Sequence, residues 1–274
     1  MSTTPPAIPP ATEMGLATDV GRVRQHNEDT AAAEGTVYVV ADGMGGHAAG
    51  EVASRIAAEA VVELADRPTL QMRDIVAQLA EANRRILESA ARHPEQTGMG
   101  TTVAGLAVVS VGGSGHWAVF NVGDSRVYRC LDGELSQVTA DHSEVWELVE
   151  RGLITPEQAA HHPARNIVTR SLGREPMASV DTWVFPPYPG EIFVICSDGL
   201  SNELTREQMQ EILAEHVHAD AAARALVKAA IEAGGRDNVT AIVVQSPGDD
   251  LDLDIDEDTT PRDQMNGSTG ESRA

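Results

Sequence analysis

Short apolar runs and amphipathic repeats alternate along most of this chain. Runs typical of buried strands occur at residues 36–41, 102–109, 116–122, 126–131 (with a return strand to 138), 191–196 and 238–245. Helical periodicity predicts helices over residues 49–65, 70–91, 205–215 and 220–233, and two short helices within 141–172. Two helices in succession followed by hairpin strands do not fit a regular βαβ alternation. The pattern favours a mixed α/β (α+β) fold of antiparallel sheets with helices packed outside.

Residue spacing also predicts which helix faces are buried and where helices begin. The expected buried positions of the first two helices are Val52, Ile56, Ala60 and Leu64, and then Ile75, Leu79, Ala82 or Asn83, and Ile86. Thr155-Pro156-Glu157 predicts a helix start, with Thr155 as the cap. Thr205 and Asp220 are the predicted caps of the last two helices.

Composition narrows the possible functions. The chain has 274 residues, and 42 acidic against 20 basic side chains give a formal charge of −22. Such a chain lacks the diffuse positive field that nucleic acids or anionic membranes require. It binds anions only where something local reverses the sign of the charge, and metal ions are the obvious candidate.

The ends of the chain differ from its middle. Residues 1–13 are rich in Pro, Thr and Ala, and residues 246–274 carry the acidic run DDLDLDIDED, so both are predicted to be disordered tails. Residues 14–245 read as one domain. Two cysteines, Cys130 and Cys196, are too few for a disulfide framework, which favours reduced thiols. Without a signal-peptide pattern at the N-terminus, we expect a cytoplasmic protein.

Three aspartates stand at the ends of apolar strands beside glycine: Asp42 before Gly43, Asp198 before Gly199, and Asp237 after Gly234-Gly235-Arg236. Each alone is most simply a turn residue, as Asp132-Gly133 illustrates. If the three strand ends converge, however, the carboxylates form an all-oxygen site. Hard oxygen ligands favour Mg²⁺ or Mn²⁺ over zinc.

Two further segments are polar and tightly turned. Residues 21–29 (GRVRQHNED) combine arginines suited to phosphate with acids suited to metal-bound water, although a polar surface turn explains them equally simply. Residues 121–126 (NVGDSR) form a predicted turn between two strands, and turn chemistry alone accounts for them.

The motifs RxxNED, VVADGMGGH, GTT, NVGDSR, TxDHS, RNxxTRSLG, CSDGL and GGRDN follow one another in this order. As an ordered set over about 14–245, they resemble the metal-dependent serine/threonine protein phosphatases of the protein phosphatase 2C type (the PPM family) in their compact bacterial form. The resemblance implies an α-β-β-α sandwich, two antiparallel sheets flanked by helices. It also implies a mobile flap near the active site, at about 144–169.

The resemblance assigns a role to each candidate residue. Asp42 bridges two metal ions, the Gly43 carbonyl binds one of them, and Asp198 and Asp237 complete the protein ligands of the other. Glu28 and Asp29 hold metal-bound water, and Arg24 binds phosphate, with Arg22 as the alternative. Asp124 joins Asp198 at a third, weaker ion.

The implied reaction is hydrolysis of phosphoserine and phosphothreonine by a hydroxide that bridges two Mn²⁺ or Mg²⁺ ions. The implied partners are phosphoproteins of bacterial Ser/Thr kinase signalling. Met44 occupies the position of a histidine proposed as general acid in animal members, so His47 and metal-bound water both remain candidates. Two other hypotheses stay open: a phosphoprotein-binding module with little turnover, and a metal-dependent phosphoesterase for small molecules.

Overall fold

The computed structural model describes residues 12–45, 49–160 and 162–246. The predicted tails fall almost wholly outside these ranges. Strand β1 begins at Glu13, so ordered structure starts one residue before the predicted domain boundary.

The described chain contains the following elements in the order in which they occur. The strands are β1 Glu13–Asp19, β2 Asp29–Glu34, β3 Val37–Met44, β4 Gly100–Thr101, β5 Val103–Val111, β6 Ser114–Val122, β7 Arg126–Leu131, β8 Glu134–Gln137, β9 Asp181–Phe185, β10 Ile192–Cys196 and β11 Val239–Gln245. The helices are α1 Ala49–Val62, α2 Met72–Arg92, α3 Glu144–Glu150, α4 Pro156–Ala160, α5 Asp198–Ser201, α6 Arg206–Glu215 and α7 Ala219–Ala233. Short 3₁₀ turns follow α1 (Glu63–Asp66) and α2 (Pro94–Gln96).

The strands form two antiparallel sheets. One has the order β1-β11-β10-β7-β8, and the other has the order β2-β3-β5-β6-β9 with β4 paired to β3. Every strand pair is antiparallel, as predicted. This arrangement confirms the mixed α/β class and the α-β-β-α sandwich that the resemblance implied.

The apolar core has three layers. The layer between the sheets contains the packed rings of Trp117 and Phe193, whose centroids are 5.4 Å apart, together with aliphatic side chains from both sheets. A second layer lies between the β2–β9 sheet and helices α1 and α2. A third lies between the other sheet and helices α6 and α7. Each sheet is therefore covered on both faces, which fixes the ends of its strands in space.

Four strands were missing from the sequence prediction: the two-residue β4 and the longer β1, β2 and β9. The longer three share a reason. Their sequences (EMGLATD, DTAAAE and DTWVF) lack a run of buried β-branched residues, and most of their positions are half-buried or exposed. Strands β1, β2 and β9 each lie at an edge of a sheet. Edge strands depend on pairing with a neighbour more than on their own hydrophobic pattern, so the pattern did not reveal them.

The first helix turns a different face to the core than predicted. Ala60 and Leu64 are buried, but Val52 and Ile56 are only half-buried, whereas Ala53 and the other alanines face the sheet. Small alanine side chains allow α1 to lie close against β3. The predicted face of α2 is confirmed, since Ile75, Leu79, Ala82, Asn83 and Ile86 are all buried.

The caps are confirmed in two of three cases. Thr155 and Thr205 accept hydrogen bonds from the backbone N–H groups of Gln158 and Gln208, each at 3.3 Å. Asp220 was wrong as a cap: it lies inside α7, in its first turn, and the cap position is His218. An acidic residue in the first turn still suits the helix dipole.

Both cysteines are buried free thiols on adjacent strands, as predicted. None of the helices within the described ranges is long and apolar enough to span a membrane.

A stability prediction follows from the burial pattern of α2. Leu79 is fully buried, whereas Val76, three residues earlier, is 40% exposed. We expect Leu79→Ala to lower the free energy of unfolding by about 2–5 kcal/mol, because it leaves a cavity in the core. Val76→Ala should change it by less than about 1 kcal/mol. Urea titration followed by circular dichroism measures both, and equal losses would contradict the assignment of the buried face.

Candidate active site

The candidate residues meet at one end of the sandwich, where the two sheets come together. Asp29 begins β2 and stands directly opposite Asp42 of β3 in the strand register. Asp198 begins α5 directly after β10, and Asp237 precedes β11. The charges of Asp198 and Asp237 raise the pKa of Asp42, so the three strand-end carboxylates lie close together.

Glycines make this convergence possible. A Cβ atom on Gly43 would collide with the carbonyl group of Gly50 at the start of α1. A Cβ atom on Gly199 would collide with the carbonyl oxygen of Asn238. The glycine after each aspartate therefore lets one backbone segment approach another, which brings α1 towards β3 and α5 towards β11.

The backbone of Asp42 is held by hydrogen bonds with Thr101, the last residue of β4, and with Thr102, which follows it. The Asp42 N–H donates to Thr102 Oγ1 at 2.9 Å, and its carbonyl oxygen accepts from the Thr102 N–H and from Thr101 Oγ1, each at 2.9 Å. Thr102 is itself buried and bonded to Ser125 Oγ at 2.7 Å. The GTT motif thus holds Asp42 in place through hydrogen bonds that leave its carboxylate free.

The carboxylates at this end repel one another. Desolvation raises the pKa of Asp42 well above its usual range, and the like charges of Asp29, Asp198, Asp124 and Asp237 raise it further. Burial raises the pKa of Asp198 to about 6, with Asp237 adding to the effect and a hydrogen bond with Asp42 opposing it. A group of carboxylates this close binds protons or cations readily.

Asp29 is one of the buried members of the group. Burial raises its pKa to about 7, although Thr240 and Ser197 oppose the shift by hydrogen bonding. Its Oδ2 accepts from Ser197 Oγ at 2.7 Å, while its Oδ1 is buried with no hydrogen-bond partner. Its neighbour Glu28 is similar: burial raises its pKa, and its Oε1 is buried without a partner.

Arg24 and Asp237 form an ion pair at the rim of the site. Arg24 Nη2 donates to Asp237 Oδ2 at 2.7 Å, and both side chains remain partly exposed. Arg22 instead contacts the same loop through its backbone, donating its N–H to the Gly235 carbonyl at 2.7 Å. The structure therefore places the Arg24 side chain, rather than that of Arg22, beside the aspartates.

Asp124 lies in the turn between β6 and β7 and is buried. Burial raises its pKa to about 8, and the charges of Asp198 and Asp141 add to the shift. Its position near Asp198 agrees with the pairing that the resemblance implied.

The predicted flap contains α3 and α4. Its two ends meet at a bridge between Ser143 and Val168, where the Glu144 N–H donates to the Ile167 carbonyl at 2.9 Å. His47 lies outside the described residues, so its role stays a prediction.

The donor set is suited to a small, hard cation. In the described ranges, no three His, Cys, Asp or Glu side chains are arranged to hold one metal ion together. Asp42 and Asp198 are hydrogen-bonded to each other, whereas Asp237 is paired with Arg24. A pair suffices for Mg²⁺, which usually takes one or two carboxylates and keeps several waters. The unpaired oxygens of Glu28 and Asp29 are acceptors for such water, since buried polar atoms normally have partners.

Sequence reasoning missed the residues that hold the site together. Asn238 accepts from the Glu28 N–H at 2.8 Å through Oδ1, and its Nδ2 donates to the carbonyls of Val20 and His26, each at 2.9 Å. Glu203, whose side chain is 3% exposed, binds both the backbone and the guanidinium of Arg236. Asn238 belongs to the GGRDN motif, which was a signal, whereas no sequence pattern marked Glu203.

Comparisons with known proteins agree with this geometry. The family model for protein phosphatase 2C matches residues 21–233. The serine/threonine phosphatase Stp of Listeria monocytogenes is 37% identical over 239 residues, covering 83% of this chain and 93% of the relative. The phosphatase PstP of Mycobacterium tuberculosis is 38% identical over 229 residues, covering 82% of this chain but 43% of the relative.

Solved structures give the same result. The crystal structure of PstP from M. tuberculosis has a TM-score of 0.80 at 34% identity, covering 86% of this chain and 99% of that one. The catalytic domain of PstP in complex with two manganese ions has a TM-score of 0.76 at 34% identity, covering 85% and 97%. This chain belongs to the protein phosphatase 2C family, and it is a serine/threonine protein phosphatase.

The position of Asn238 gives a prediction about the site's rigidity. Asn238→Ala leaves the Glu28 N–H and the carbonyls of Val20 and His26 without their partner. We expect a loss of about 1–3 kcal/mol in the free energy of unfolding for unsatisfied groups of this kind. Amide exchange in residues 20–29 should become faster. Unchanged exchange there would contradict the role assigned to Asn238.

Proposed function

We propose that this phosphatase hydrolyses phosphoserine and phosphothreonine in proteins with two Mn²⁺ or Mg²⁺ ions. Asp42 would serve both ions, the Gly43 carbonyl would serve one of them, and Asp198 and Asp237 would serve the other. The observation that carries the proposal is the convergence of these carboxylates, where like charges raise the pKa values of Asp42 and Asp198 while Asp237 is paired with Arg24. A divalent cation is the natural counter-charge for such a group.

When bound, the two cations would lower the pKa of a water molecule so that it supplies hydroxide near neutral pH, and they would offset the charge of phosphoryl oxygens. The protein's own residues supply position and charge. Glu28 and Asp29 offer buried oxygens that accept hydrogen bonds from water at the site. Asp124, close to Asp198, provides a third and weaker cation position.

Arg24 is the proposed phosphate ligand. Its guanidinium already lies at the rim, 2.7 Å from Asp237 and 48% exposed. An arginine there presents two parallel N–H groups to two oxygens of a phosphate. Because the guanidinium is positive and the phosphate is negative, these hydrogen bonds are strong. Arg24 would thus orient the phosphoryl group beside Asp237.

The proposal also covers the domain boundaries of the enzyme, its substrates and its location. We infer that residues 14–245, with Glu13 at the start of β1, form the catalytic domain and that residues 144–169 act as its flap. The predicted tails lie almost wholly outside the described residues. The substrates are phosphoproteins made by Ser/Thr kinases in the cytoplasm. The names of the relatives, Ser/Thr phosphatases of bacteria, support this inference.

Asp198→Asn tests the metal site. The substitution removes a negative charge between Asp42 and Asp237 but keeps the shape, so hydrolysis of a phosphothreonine peptide in Mn²⁺ should fall by about 100-fold or more. Asp132→Asn is the matched control, because Asp132 lies in an ordinary hairpin turn with a φ of 50° that asparagine tolerates. The control should keep wild-type activity.

The outcomes separate the hypotheses. Activity that requires Mn²⁺ and is lost only in Asp198→Asn supports the proposal. A folded wild-type protein that binds Mn²⁺ but releases no phosphate from peptides would support a binding module. Release from small phosphate esters but not from phosphopeptides would support a small-molecule phosphoesterase.

Arg24→Ala and Arg22→Ala test the phosphate ligand. A charge-assisted hydrogen bond of about 1.5–3 kcal/mol predicts that Arg24→Ala lowers kcat/KM by about 10-fold to 150-fold. Arg22→Ala should change kcat/KM less than about threefold, since Arg22 reaches the site only through its backbone N–H. A larger loss for Arg22→Ala would reverse the assignment.

A further inference from the structure

His142 is a buried histidine, 5% exposed, directly before the flap. Its Nδ1 lies 3.0 Å from the backbone N of Gly123. A backbone N–H can only donate, so Nδ1 carries no hydrogen. Burial, the main cause, lowers the pKa of His142 and favours the neutral ring. The neutral ring then has its hydrogen on Nε2, which lies 3.2 Å from Asp181 Oδ2.

The partners of Nε2 agree with this tautomer. Arg170 Nη1 lies 3.1 Å from Asp181 Oδ1 and 3.2 Å from His142 Nε2. Since Nε2 is a donor, the Arg170 hydrogen bond goes to Asp181. Asp181 thereby accepts from both Arg170 and His142, and the ring orientation is fixed from that side.

The other side of the ring holds the turn that carries Asp124. The backbone N–H of His142 donates to the Gly123 carbonyl at 2.9 Å, so residues 123 and 142 are joined by two hydrogen bonds. Gly123 has a φ of +115°, and a Cβ atom there would lie 2.6 Å from Thr102. The turn is thus held between Thr102, which also fixes Asp42, and His142.

The carbonyl of His142 connects to the flap. It accepts from the Thr169 N–H at 2.8 Å, next to the bridge between Ser143 and Val168. His142 therefore lies where the flap closes on itself and where the turn that carries Asp124 is held.

We propose that His142 is a positioning residue: its unprotonated Nδ1 holds the Gly123–Asp124 turn against the base of the flap and so aims the Asp124 carboxylate. The inference rests on the proposed function, in which Asp124 helps to hold the third cation. A purely structural histidine, by contrast, would contribute to folding without affecting this cation.

Two substitutions separate the two ring nitrogens. In His142→Asn, the amide oxygen takes the place of Nδ1 and still accepts from Gly123 N–H, but nothing reaches Asp181. In His142→Gln, the longer amide reaches Asp181, but the acceptor for Gly123 is lost. Both variants remove the ring, so the direction of a difference between them identifies the contact that matters. A larger effect in His142→Gln points to Gly123, and a larger effect in His142→Asn points to Asp181 and would overturn the inference.

The readouts are amide exchange in the metal-free protein and Mn²⁺ binding by calorimetry. We expect His142→Gln to exchange faster over residues 121–126 and to bind the weakest Mn²⁺ about 10-fold to 100-fold less tightly, the usual loss for a group that orients a metal ligand. His142→Asn should stay within about threefold of wild type in both readouts. Equal behaviour of the two variants would overturn the inference.

Asp124→Asn is the reference variant. If it loses the weakest Mn²⁺ while His142→Gln keeps it, the inference fails and the proposed site stands. If Asp124→Asn binds Mn²⁺ as wild type does, the assignment of Asp124 fails, and the inference fails with it. Should His142→Gln not fold, a tenfold loss of the weakest Mn²⁺ in folded His142→Asn would overturn the inference.

Discussion

Mutual repulsion among carboxylates is the constraint on which this structure depends. Asp29, Asp42, Asp124 and Asp198 each have a raised pKa, because burial desolvates them and neighbouring carboxylates add like charge. If nothing held these side chains in place, their like charges would drive them apart. They stay together because each is attached to a strand end or tight turn that the apolar layers hold in place. The three core layers therefore do more than stabilise the fold: they keep in proximity charges that would otherwise move apart.

The site belongs to the junction between the sheets rather than to any one segment. Asp42 comes from one sheet and Asp198 from the other, and Asn238 connects the loop before β2 to the start of β11. Glycine at 43 and 199 is required because backbone from a second element occupies the space of a side chain. A change in the packing between the sheets would thus change the distances between the carboxylates even if the surroundings of each carboxylate stayed the same.

The sequence allowed prediction of the elements with strong periodicity and of the residues marked by motifs. Local patterns predicted helix α2 and strands β3 and β10, because burial leaves a run or a periodic pattern of apolar residues. They also predicted the strand-end aspartates, because glycines stand beside each of them. Edge strand β2 (DTAAAE) shows no such apolar pattern, since its register comes from pairing with β3. The contacts of Glu203 and His142 were equally hidden, because their partners lie 33 and 19 residues away. Long-range polar contacts carry no periodicity to detect.

The two sides of the site differ in how they are held. Asp42, Asp198 and Asp237 are attached to strands and to a helix start that pack against the core. Asp124 is held differently, through a turn whose hydrogen bonds run to Thr102 on the core side and to His142 beside residues 144–169. Among the proposed cation ligands, Asp124 is therefore the one whose turn is bonded directly to His142. A change that moves His142 would act on Asp124 first, because two hydrogen bonds join residue 142 to Gly123.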